Sequence, residues 1–148
     1  MNRFNVETAV GIFLVAGFLS FSYLAVKLGG VQFFGGDTYP VQARFGSVSG
    51  LQTGAVVEIA GVRVGRVTGI HLNGEDYDAV VDLAIDRGVK LQLDSIASIR
   101  TAGIIGNRYV SIAPGGDEEY IGPGGKIEET ESAINLEELI SKYIFEKD

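Results

Sequence analysis

Residues able to carry covalent chemistry are few in this chain. It has one histidine, His71, and no cysteine. A nucleophile needs a base within hydrogen-bond reach, and a zinc-type site needs three or four nitrogen, sulfur or carboxylate ligands. His71 lies between Ile70 and Leu72 on a stretch of strand-like periodicity, so its side chain is expected to face solvent. Neither a Gly-x-Ser-x-Gly elbow nor a Gly-Lys-Ser/Thr phosphate loop occurs. The run from Asn73 to Asp78 superficially resembles a calcium loop. It lacks glycine at the sixth position and has Ala84 at the twelfth, where a bidentate acid belongs. Asp82 and Asp86 share a strand face that points to water. The expectation is a protein with no catalytic residues, no metal and no cofactor.

One segment does not fit a solvated loop. Ala102-Gly103-Ile104-Ile105-Gly106-Asn107 sits between two strand-like runs, preceded by Arg100-Thr101 and followed by Arg108-Tyr109. Loop tips ordinarily carry polar residues. Ile104 and Ile105, bracketed by Gly103 and Gly106, either mark a contact with a partner, membrane or apolar ligand, or fold back to cap their own barrel. Patterning leaves both readings open. Arg63, Arg66, Arg100 and Arg108 are isolated cations that build no basic pocket, and surface or intersubunit pairing is their expected role.

The elements that must position this loop begin with an apolar run. Ala9 to Val26 carries no formal charge over 18 residues, and extending it from Val6 to Leu28 gives enough length for a membrane-spanning helix. Only Arg3 precedes it, no A-x-A cleavage site follows it, and no cysteine offers a lipid anchor. We expect an uncleaved signal anchor over 1–28 with the C-terminal domain exported, and a linker over 29–38 with an apolar patch at Val31-Gln32-Phe33-Phe34. Roughly 120 residues remain, enough for one domain with its own core. The formal charge of −7 and pI near 4.7 argue against nucleic acid, whose binding needs phosphate neutralisation.

Short strand-like runs follow. Val41, Ala43 and Phe45 alternate with Gln42 and Arg44. Val56 to Ile59 leads into Val62 to Val67, where Arg63 is expected to point away from an apolar face shared by Val62 and Val64, and Gly65 marks a bulge. Ala79, Val81, Leu83 and Ile85 face one way, with Asp78, Asp82 and Asp86 facing the other. Two more runs cover Ile96 to Thr101 and Tyr109 to Ala113, and Asn73-Gly74 and Gly115-Gly116 mark turns. Six or seven short strands without an intervening helix mean a small sandwich or barrel. The period then changes. Leu136, Leu139, Ile140, Tyr143 and Ile144 form one apolar stripe, with Asn135 and Glu138 placed for a capping box. That stripe must be buried on its own barrel or against copies of itself.

Three segments resemble the MCE (mammalian cell entry) family: FGSVSGLQTG from Phe45 to Gly54, VEIAGVRVGRV from Val57 to Val67, and SIRTAGIIGNRYV from Ser98 to Val110. The resemblance covers essentially the whole chain. It implies an all-β fold, a small seven-stranded β-barrel over 39–116, with a final strand and acidic linker over 117–131 and an amphipathic helix over 132–148. It also implies a homohexamer around an apolar pore. Ile104 and Ile105 would line that pore, and the stripe from Leu136 to Ile144 would extend the channel. The implied function is phospholipid transport between the inner and outer membranes of a Gram-negative bacterium, maintaining outer-membrane lipid asymmetry. The implied partners are ABC permease and ATPase subunits and a periplasmic lipid-carrier protein. The implied place is the inner membrane, with the C-terminal domain in the periplasm. The rival functions are a membrane-anchored scaffold or adhesion module and, disfavoured by the missing nucleophile–base pair, a periplasmic enzyme.

Overall fold

The computed structural model describes residues 5–29 and 36–146. The expected apolar patch from Val31 to Phe34 lies outside the described residues. The chain divides into two compact units, residues 1–36 and residues 37–148.

The first unit is helix α1, Val6–Leu28. Its 23 residues rise about 35 Å, matching a bilayer's hydrocarbon core. Apolar side chains surround it, and none of its residues is buried, as expected of a helix whose solvent is lipid. Glu7 in the first turn and Lys27 in the last complement the helix dipole.

The second unit is a single mixed sheet curled toward closure. Its strands are β1 (Thr38–Phe45), β2 (Val56–Ile59), β3 (Val62–Leu72), β4 (Ala79–Asp86), β5 (Ile96–Thr101), β6 (Arg108–Ala113), β7 (Gly125–Ile127) and β8 (Glu129–Glu131). The order across the sheet is β7-β1-β4-β3-β2-β6-β5-β8. Helix α2, Leu136–Phe145, follows. The sheet thus has eight strands and not the expected seven. The last strand breaks at Glu128, so that β7 pairs parallel with β1 while β8 pairs parallel with β5. One broken strand thereby joins both edges, and the Thr130 hydroxyl donates to the Arg44 carbonyl across the seam.

The period-2 alternation builds the core. Val41, Ala43 and Tyr39 of β1 stand opposite Leu83, Val81 and Ile85 of β4, and all six are buried. Each fully buried aliphatic side chain contributes about 1.5–3 kcal/mol. The core extends through Phe45, Val57, Val67, Ile99, Val110, Ile112 and Ile127.

Two irregularities bend β3. Val57 pairs with Gly65 but Glu58 pairs with Arg63, so Val64 is an extra residue. Val67 pairs with Leu83 but Gly69 with Asp82, so Thr68 is another. The break expected at Gly65 is thus beside it. Gly65 is instead where β4 comes closest, and a Cβ there would overlap the Ala84 carbonyl. Val62 does not share Val64's burial. It sits beside the two-residue turn Ala60-Gly61, beyond the rim of the core, and is 64% exposed. Both turn residues have positive φ, the geometry that suits a twisted hairpin.

Candidate functional site

Strands β5 and β6 form a hairpin whose last pair is Thr101 with Arg108. The loop beyond it is closed by the Ala102 amide, which donates to the Asn107 carbonyl at 3.0 Å. Its two glycines do different work. Gly103 has φ +71°, a region that penalises a side chain. Gly106 has ordinary φ but no room, since a Cβ would overlap the Ala102 carbonyl. Between them Ile104 is 87% exposed and Ile105 95% exposed, while Ile99, Val110 and Ile112 on the flanking strands are buried. The two isoleucines therefore do not fold back over their own barrel. Holding them in water forgoes about 1.5–3 kcal/mol each of available burial.

At the same end of the barrel the chain leaves β8 and enters α2. Ser132 Oγ accepts from the Ser47 amide at 3.2 Å, and the Ala133 amide donates to the Ser47 carbonyl at 3.2 Å. Helix α2 then buries none of its residues. Leu136, Leu139, Ile140, Tyr143 and Ile144 are all more than half exposed, as is Phe145. Of the two expected burial partners, the barrel does not cover the stripe. The expected capping box does not form. Asn135 stands at the N-cap without a side-chain bond to the helix, because its Oδ1 accepts instead from Arg108 Nη2 at 2.7 Å. Sequence spacing carries no signal for that contact, since it joins residues 27 apart.

Several other polar groups make contacts within the domain. His71 Nδ1 lies 3.4 Å from Asp82 Oδ2, and Asp82 Oδ1 accepts from Gln42 Nε2 at 2.8 Å, leaving a surface ladder across β1, β4 and β3. In the loop from Asn73 to Asp78 the carboxylates of Asp76 and Asp78 are held by Arg44 at 3.1 and 2.9 Å. Among the described residues no group of three or more His, Cys, Asp or Glu side chains could hold a metal. Asp94 accepts from the Gly116 and Asp117 amides, which hold its carboxyl below the ordinary aspartate range. Burial pushes the Tyr39 phenol up, and its hydroxyl donates to the Val89 carbonyl at 2.7 Å. Neither group faces the loop end of the barrel.

A membrane-length apolar helix, a small barrel, an apolar loop tip and an amphipathic helix with no buried residue together define a module that displays hydrophobic surface. Residues 37–115 match the family described as MlaD protein. The chain belongs to that family, as the MCE-like motifs imply. It is 33% identical over 144 residues to the intermembrane phospholipid transport system binding protein MlaD of Haemophilus influenzae, covering 94% of this chain and 86% of the relative. It is 34% identical over 146 residues to the protein of that name from Escherichia coli K12, covering 94% and 80%. Among solved structures, a chain of the Acinetobacter MlaFEDB complex in its ATP-bound Vtrans1 conformation superposes with TM-score 0.76 at 26% identity. That match covers 93% of this chain and 97% of the other.

Proposed function

We propose that this chain is the membrane-anchored, phospholipid-binding subunit of an ABC transporter that moves lipids between the inner and outer membranes and so maintains outer-membrane lipid asymmetry. It is a non-catalytic subunit working beside permease and ATPase chains, as the names of its relatives and of the MlaFEDB complex support. The observation that carries the reading is the loop tip, with Ile104 and Ile105 held in water by a glycine-framed turn. The finer division is ours as well. Residues 1–28 anchor the chain in the inner membrane, 29–38 link it, 39–116 form the periplasmic MCE barrel, 117–131 complete the sheet and 132–148 form the terminal helix. Six copies surround one axis, a soluble lipid carrier takes or delivers the cargo, and neither nucleic acid nor a cofactor is involved.

The physics needs no catalytic group. Moving an acyl chain into water costs about 0.8 kcal/mol per CH₂, so desorption of a two-chain lipid is very slow. Sixfold repetition turns one apolar loop tip into a hydrophobic ring. The same operation sets the exposed stripe of α2 beside those of its two neighbours, so that the channel continues beyond the ring. The acidic exterior keeps such an assembly soluble.

The test is site-specific photocrosslinking in cells with phospholipid labelled metabolically. A probe at Ile105 is expected to capture lipid where a probe at Asp82 does not. An anchored, hexameric protein that yields no adduct at Ile105 would turn the assignment to a scaffold without transport.

A further inference from the structure

We infer that Arg108 is a positioning residue that holds the terminal helix in line with the apolar loop. The inference rests on the lipid-path reading above. Arg108 is the first residue of β6 and directly follows the loop from Ala102 to Asn107. Its backbone is fixed to the foot of that loop by pairing with Thr101. Its guanidinium reaches out of the sheet. Nη2 donates to Asn135 Oδ1 at 2.7 Å and to the Ile134 carbonyl at 3.3 Å, the two residues that immediately precede α2. The arginine stem passes over Gly50, where a Cβ would stand 3.0 Å from Nε.

No residue of α2 is buried, so a packed helix–barrel core does not set its direction. The Ser47 contacts hold the chain only as far as Ala133. Arg108 carries the clasp to the N-cap itself. Asn135 could have capped the helix locally, as asparagine commonly does. Its oxygen serves the link to the barrel instead. Both bonds leave one nitrogen, Nη2, through its two N–H groups, so a lysine ammonium on a shorter stem can replace them only in part.

The consequence for transport is geometric. The loop and the start of α2 share the barrel end remote from Thr38, where the chain enters the sheet. An acyl chain leaving the ring of isoleucines stays out of water only if the helix stripe begins where the ring stops. A helix free to swing about residues 134 and 135 opens that junction.

The experiment uses the full chain in its membrane, with photocrosslinking probes at Ile105 or Ile140 and labelled phospholipid. Both positions are expected to capture lipid in the otherwise unaltered protein. Arg108→Ala should retain the adduct at Ile105 and lose about tenfold at Ile140, a factor equivalent to about 1.4 kcal/mol. Asn135→Ala, which leaves β6 untouched, should reproduce most of that loss, and Arg108→Lys should restore part of it. The double variant should be no worse than Arg108→Ala, since both changes remove one shared contact. Undiminished capture at Ile140 in Arg108→Ala, or losses that simply add in the double variant, would overturn the role of Arg108. Absence of an adduct at Ile105 in the unaltered protein would instead defeat the lipid-path reading itself.

Discussion

Two glycines, each with backbone where a Cβ would stand, are expected to lose unequal amounts of stability on the same substitution, the more crowded one losing less. At Gly65 an added Cβ overlaps the Ala84 carbonyl and stands 3.2 Å from Ile85 Cα, both backbone atoms of the paired strand β4. Nothing there can move without disturbing the buried row Val81, Leu83 and Ile85. Overpacking of this kind costs about 2–3 kcal/mol, and a domain near a hundred residues loses roughly 4–8 °C of Tm per kcal/mol. Gly65→Ala should therefore lower the Tm by about 8–24 °C. At Gly106 the Cβ overlaps the Ala102 carbonyl even more severely. The loop there packs on nothing, with its tip almost fully exposed. It can escape by opening, which forfeits the one hydrogen bond from Ala102 to Asn107. The loss is capped near 1 kcal/mol, or about 4–8 °C. Lipid capture at Ile105 should nevertheless fall, because the tip no longer holds its position. The assay is thermal unfolding by circular dichroism on the full chain in detergent, beside photocrosslinking in membranes. Equal Tm losses for the two variants would refute the view that the loop is held away from the barrel by its own geometry.

Changing Ile104 and Ile105 together to Asn should leave the Tm within a few degrees, since exposed positions rarely shift stability by more than about 0.5 kcal/mol. It should abolish lipid passage while the hexamer still forms, and a variant that fully supports the outer-membrane barrier would contradict the pore role. Removing the chain after Ser132 should leave the barrel folded, because α2 buries none of its residues, yet should weaken the assembly or block the channel, as size-exclusion chromatography and transport assays would report. Asp94 has its folded pKa lowered by the Gly116 and Asp117 amides, so its contribution to stability is present above the ordinary aspartate range and is lost as pH falls through the lowered value. The Tm difference between the unaltered chain and Asp94→Asn should accordingly shrink on acidification below about pH 4; a difference that grows would invert the assignment.

Strand-period runs were legible where a side chain has only the pleat to obey. Val81, Leu83 and Ile85 alternate with Asp82, Ala84 and Asp86, and the structure buries those three aliphatics. The loop glycines were legible too, although which one needs space and which needs positive φ depends on where Ala102 stands. Other features depend on the far side of the barrel. Residues 125–131 carry three glutamates and too few apolar residues to announce two strands, and pairing with β1 and β5 overrides that local polarity. Asn135 and Glu138 have the spacing of a capping box, but Arg108 from β6 outcompetes the helix for the asparagine oxygen. Val62 and Val64 look equivalent in a period-2 register, and the extra residue at Val64 removes that equivalence.

The strand broken at Glu128 also sets an order of events. Val41 must wait for Gly125, and Ile96 for Glu129, before either edge of the sheet has a neighbour. A chain made from its N-terminus therefore carries two unsatisfied strand edges until that last strand is available. Contacts so distant in sequence close late and slowly. Until the final strand arrives, each edge is a template for any other extended chain nearby. Where copies of the chain lie close together, that other chain is a second copy, and strand exchange competes with correct closure. Shortening the interval before Glu131 emerges, more than strengthening the core, is what would spare the protein that hazard.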